Sequence, residues 1–198
     1  MRYGVPYKGS KNGIAEWIYS HFPKRKNFYD LFCGGCAILQ VALMRQEYKN
    51  YIANDIDADG IKLFLNAING KYQNETRWIS REDFFNLKDK DPYIKYCWSF
   101  GNNGTAYLYA EEVEPWRKAC HFAVYFGDYG PLREIGCTGV QAQGRTPWER
   151  WMALKNQFTG RHLDNYKRWV LRSLFALTGV ELEAAIRAKD AETKAEAE

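Results

Sequence analysis

Residues 28–55 constrain the fold more than any other part of this chain. Phe28-Tyr29-Asp30-Leu31-Phe32 reads as a strand, Cys33-Gly34-Gly35-Cys36 as a glycine turn, and the apolar run Ile38 to Arg45 as a helix. A second strand, Tyr51 to Asn54, delivers Asp55 at its end. Strand, glycine turn, helix, strand and terminal carboxylate make the unit with which an α/β fold holds the nucleoside end of a cofactor. Glycine lets the main chain approach a ligand without a Cβ in the way. A carboxylate after the next strand accepts hydrogen bonds from ribose hydroxyls.

The rest of the composition sets limits. The chain has 198 residues, 46% of them hydrophobic, enough for one good-sized core or a core with an insertion. The net charge of +4 permits a nucleic-acid partner without demanding one. Met1-Arg2-Tyr3-Gly4-Val5-Pro6 lacks the apolar stretch of a secretory leader, and no apolar run is long enough to span a membrane. Five cysteines, an odd number, point to reduced thiols in a cytoplasmic protein. Cys33 and Cys36 have C-x-x-C spacing, but no further pair of ligands lies close by, so no metal is expected. His21, His121 and His162 show no ligand-like spacing.

Upstream, Tyr7-Lys8-Gly9-Ser10-Lys11 is a polar glycine loop, and Gly13 to Phe22 spaces Ile14, Trp17, Ile18 and Phe22 along one helix face. Ala58 to Ile68 is a helix stopped by Asn69-Gly70. After residue 70 the texture turns helical: Glu82 to Leu87, Pro92 to Ser99, Glu111 to Phe126, Pro147 to Phe158 and Asp164 to Leu177. Gly101-Asn102-Asn103-Gly104 is a turn. Residues 127–147 read as an exposed or partly disordered excursion, and Trp116, Phe122 and Phe126 as one packing face. The division expected is a cofactor-binding α/β part over 1–70, a helical module over 71–178 and a charged helical tail over 179–198.

Four ordered stretches give the chain a resemblance. Pro6-Tyr7-Lys8-Gly9-Ser10-Lys11, Asp30-Leu31-Phe32-Cys33-Gly34-Gly35, Asn54-Asp55-Ile56-Asp57 and Cys97-Trp98-Ser99-Phe100-Gly101-Asn102-Asn103-Gly104 resemble motifs of the adenine-N6 DNA methyltransferases whose cofactor motif comes first. The resemblance covers residues 6 to about 126. It implies a partial Rossmann-like methyltransferase sheet with a mostly helical DNA-recognition module, S-adenosylmethionine as cofactor and double-stranded DNA as partner. Tyr7, Lys8 and Lys11 would then flank the cofactor. The main chain around Phe32, Gly34 and Gly35 would lie against its amino-acid end, and Asp55 would hold its ribose. Asn102 and Asn103 would face DNA. Asparagine suits an adenine edge because it donates and accepts at once.

One expected element is absent. Such enzymes hold the extruded adenine with Asp-Pro-Pro-Tyr or a close variant. This sequence has none, and it ends near where the motif is expected. Asp91-Pro92-Tyr93 is the nearest string, but it follows Lys88-Asp89-Lys90 and opens a helix, so no catalytic residue is assigned. Two readings therefore stand. In one, the chain transfers methyl groups to adenine N6, as in DNA modification linked to restriction. In the other, it is a non-catalytic relic, or a subunit that needs a second polypeptide carrying the motif.

Overall fold

In a computed structural model, residues 3–158 are described. The chain forms two compact units, with the boundary between Leu108 and Tyr109. The change of texture after residue 70 falls inside the first unit. The expected helix Asp164 to Leu177 and the tail over 179–198 lie outside the described residues.

The first unit starts with α1 (Ala15–Ser20), β1 (Asn27–Asp30), α2 (Ala37–Arg45), β2 (Asn50–Ala53) and α3 (Ala58–Ile68). The two strands pair in parallel, with Phe28 opposite Tyr51 and Asp30 opposite Ala53. Parallel strands need a crossover, and α2 supplies it. Beyond the last paired residues the Cys33 N–H still donates to the Asn54 carbonyl (3.1 Å), which keeps the two strand exits side by side. The core beneath is Phe28, Leu39, Val41, Ala42, Tyr48 and Phe64, with Ala15 and Tyr19 of α1. Among the described residues the sheet has these two strands, and the structure shows a small parallel sheet among helices.

Each later helix of this unit has a local reason to start. Asp57 caps α3 by accepting the Asp59 N–H (3.2 Å). Ser80 caps α4 (Arg81–Leu87) by accepting the Asp83 N–H (3.1 Å). Asp91 caps α5 (Pro92–Cys97) by accepting the Tyr93 N–H (3.0 Å), with Pro92 in the first turn. Asp91-Pro92-Tyr93 is thus a helix start, as its flanks predicted. After α5 the chain doubles back in a short hairpin: the Leu108 N–H donates to the Trp98 carbonyl and the Phe100 N–H to the Ala106 carbonyl, both at 2.9 Å. Ile79, Phe84, Ile94, Tyr96, Trp98 and Tyr107 are buried around it.

The second unit contains α6 (Glu114–Phe126), α7 (Gly130–Glu134) and α8 (Pro147–Phe158). Gly127, at φ +67°, ends α6 in the left-handed conformation that favours glycine. Thr146 and Glu149 start α8 with a reciprocal pair of bonds, each side chain accepting the other's N–H at 3.2 Å. Two expectations change here. Residues 127–147 are largely exposed but anchored: Leu132, Cys137, Val140 and Ala142 are buried with Leu154 of α8. The buried face of α6 is Ala119, Cys120, Ala123 and Val124. Trp116 packs beside it, whereas Phe126 is exposed and meets the Phe122 ring edge-on at 5.5 Å. Small residues let α7 and α8 approach α6, so the large aromatics of this helix lie outside that seam.

Candidate functional site

The site forms where the two strands end. Asp55, half-buried, accepts the Gly34 N–H through Oδ2 (2.8 Å) and the Asp57 N–H through Oδ1 (2.9 Å). Each carboxylate oxygen has a second lone pair, so both can still accept from a ligand hydroxyl. The two turns also carry two large apolar side chains in solvent: Phe32, 90% exposed, and Ile56, fully exposed. Exposure of that degree on the turns that hold a fixed carboxylate is unusual for packing residues and offers apolar surface to a ligand.

The glycines serve a purpose the sequence did not reveal. The space a Cβ would fill at Gly34 and Gly35 is taken by the ring and Cβ of Tyr7, at 3.1 and 2.8 Å. At Gly60, in the first turn of α3, a Cβ would meet the Gly34 carbonyl at 2.6 Å. Gly4 (φ +74°) packs so closely on the turn that a Cβ would lie 2.3 Å from the Gly35 carbonyl. The turn is therefore clasped from one side by Tyr7 and from another by α3. Burial, then the nearby Asp57 and Asp55 carboxylates, push the Tyr7 hydroxyl above its ordinary range, so it stays protonated.

Of the residues assigned from sequence, Tyr7, Gly34, Gly35 and Asp55 come together, with Phe32 at the rim. Lys8 is exposed, and its N–H donates to the Asn102 carbonyl at 3.1 Å. Lys11 folds back within its own loop, its Nζ donating to the Gly9 carbonyl at 2.7 Å. Asn102 sits at φ +52° and its side-chain amide donates to the Tyr96 carbonyl at 2.8 Å. The Asn103 side-chain oxygen accepts the Thr105 N–H at 2.9 Å. Both asparagines thus shape the turn, which presents Phe100 to solvent.

Five residues escaped sequence reasoning. Asp30 lies under the glycine turn, with Oδ2 buried and unpartnered among the described residues. Burial holds its carboxyl above the ordinary range, against the lowering effect of the Leu39 N–H; the Asp55 charge adds to the rise. Its position in the Asp30-Leu31-Phe32 string was the available signal. Ile56, after Asp55, was visible only as an apolar residue in a polar loop. Asp57 is desolvated, yet its bonds from Tyr96 and Lys95 hold it below the usual carboxylate range. Tyr96 donates to Asp57 from α5, and Lys95 pairs with Asp59 at 2.8 Å. These last contacts cross about 39 positions of chain, beyond any local pattern.

The described residues hold no cluster of three or more His, Cys, Asp or Glu fit for a metal ion, and Cys33 and Cys36 are buried free thiols. No described helix is long and apolar enough to cross a membrane. No solved structure matches the chain. A family model described as D12 class N6 adenine-specific DNA methyltransferase matches residues 7–129.

Proposed function

Because the chain belongs to the D12 class N6 adenine-specific DNA methyltransferases, we propose that its Asp55 site binds S-adenosylmethionine and that its 100–104 turn meets double-stranded DNA. The carrying observation is the Asp55 carboxylate, fixed by the Gly34 and Asp57 N–H groups on turns that expose Phe32 and Ile56. The donor set fits the cofactor in each part. Asp55 suits a ribose diol. The exposed Phe32 and Ile56 side chains suit a purine. The unpartnered Oδ2 of Asp30 suits an ammonium group at the amino-acid end. Since Tyr7 fills the Cβ side of the twin glycines, the ligand lies against the opposite, main-chain side of the turn.

When bound, the cofactor supplies a sulfonium methyl group for the exocyclic amine of adenine. The residues of this chain contribute binding and orientation. Asp55 and Gly34 fix the sugar end, and Tyr7 with Gly60 keeps the turn from shifting. Lys8 and Lys11, in a loop bonded to the second turn, lie in reach of anionic groups on either ligand. Asn103 meets DNA through its amide group and Phe100 through its ring, while Asn102 holds the turn open. The cytoplasm, where thiols are reduced, is the compartment that suits five free cysteines.

One observation bears on unaided turnover: the sequence has no Asp-Pro-Pro-Tyr or variant of it. On this reading the chain contributes the cofactor and recognition parts, and transfer requires a second polypeptide segment that carries the motif. Radiolabelled methyl transfer to duplex DNA tests it. Incorporation into adenine only after such a polypeptide is added supports the divided enzyme. Incorporation by the chain alone shows a complete enzyme with an unrecognised motif. Cofactor and DNA binding without transfer under any condition favours the relic.

A further inference from the structure

The glycine turn and the 100–104 turn are joined by a closed circuit of contacts within the first unit. Tyr7 lays its ring against Gly34, Gly35 and Gly60. The same ring meets that of Tyr96 at 5.2 Å, inclined 46°. Tyr96 is 2% exposed, and its hydroxyl donates to Asp57. Asp57 in turn donates its N–H to Asp55 at 2.9 Å. In the other direction, the Tyr96 carbonyl accepts the Asn102 side-chain amide at 2.8 Å, and the Asn102 carbonyl accepts the Lys8 N–H at 3.1 Å. Lys8 follows Tyr7, which closes the loop. Lys95, beside Tyr96, adds an ion pair to Asp59 at 2.8 Å and packs its stem toward Gly104.

We propose that the two turns bind their ligands as a coupled pair, with Tyr96 as the positioning residue that links them. The inference rests on the function proposed above, in which the first turn takes the methyl donor and the second meets DNA. A ligand on Asp55 orders Asp57 and the Tyr7 loop. Both hold Tyr96 and Asn102, so the second turn is ordered before DNA arrives and that binding costs less entropy. By linkage, DNA must tighten the cofactor by the same factor. Packing alone at position 96 would be satisfied by phenylalanine. The hydroxyl is the part that reaches Asp57, so the link from Tyr96 to the Asp55 side of the circuit can be cut by removing one atom.

The test measures the affinity of the full chain for S-adenosylhomocysteine by calorimetry, with and without saturating random-sequence duplex DNA. The wild type is expected to bind at least about fivefold more tightly with DNA present. Tyr96→Phe is expected to keep a measurable affinity for each ligand alone while the ratio falls below about twofold. Asn102→Gly, which keeps the positive φ and removes the bond to the Tyr96 carbonyl, should also collapse the ratio and serves if Tyr96→Phe fails to fold. A wild-type ratio near one, or the wild-type ratio retained in a folded variant, overturns the coupling while leaving the proposed function intact. Absence of S-adenosylhomocysteine binding by the wild type removes both.

Discussion

The Gly34 N–H donates to the Asp55 carboxylate at 2.8 Å, so the turn after β1 and the turn after β2 are one structural piece. Asp55 also accepts the Asp57 N–H, at 2.9 Å. This carboxylate organises two backbone donors, and in the proposed function it also holds a ligand, which fixes what its substitutions should do. Asp55→Ala leaves both part-buried donors without an acceptor and should cost about 1–3 kcal/mol of stability. Asp55→Asn retains one carbonyl oxygen and should cost less. Both should lose S-adenosylmethionine binding by at least about tenfold, near 1.4 kcal/mol. Urea unfolding alongside calorimetry separates the two roles. Unchanged affinity in a folded Asp55→Asn protein would leave the residue purely structural.

Gly60 tests the clasp of α3 on the glycine turn. An added Cβ would stand 2.6 Å from the Gly34 carbonyl, a backbone atom that cannot swing aside. In an open helix, alanine stabilises relative to glycine by roughly 1 kcal/mol. Here overpacking should reverse the sign, and Gly60→Ala should destabilise by about 1–3 kcal/mol. A higher melting temperature for this variant would show that the turn and helix are not in contact.

Asp30 should set stability against affinity. Burial raises its carboxyl above the ordinary value of 3.8, so the folded chain holds the proton more tightly than the unfolded chain. The stabilisation linked to that proton is complete below 3.8 and is lost as pH rises through the folded value. At neutral pH the ionised group is a burden that Asp30→Asn removes. The variant should melt a few degrees higher at pH 7, at about 2–4 °C per kcal/mol for a chain of this size. Its advantage should shrink as pH falls, and its cofactor affinity should drop because the unpartnered oxygen no longer carries charge. A lower melting temperature at pH 7 would mean that the carboxylate is stabilising as it stands.

In the second unit, Leu132 of α7 is fully buried against α6 and α8. Leu132→Ala should cost about 2–5 kcal/mol and expose residues 127–147 to proteolysis. A surface excursion would tolerate the change with less than about 0.5 kcal/mol.

The elements built on local chemistry were legible in the sequence. Ala58–Ile68 carries its cap and stop within a few residues of its ends, and Pro147 opens α8 behind the Thr146–Glu149 pair; both begin where the pattern places them. The twin glycines and Asp55 announced the first turn. What was hidden depends on distant contacts. Residues 127–147 look like a loop because glycine and polar residues dominate the string. Four spaced apolar residues, Leu132, Cys137, Val140 and Ala142, nevertheless suffice to anchor it in a core. Glycine at 34 and 35 suggested room for a ligand, but Tyr7, some 27 positions upstream, occupies the Cβ side. Tyr96 read as one aromatic among many until its hydroxyl was placed on Asp57.

The most direct measurement is calorimetric titration of the full chain with S-adenosylmethionine. The account predicts saturable one-to-one binding that Asp55→Asn abolishes in a folded protein. No saturable binding by the wild type, or equal binding by wild type and variant, would contradict it.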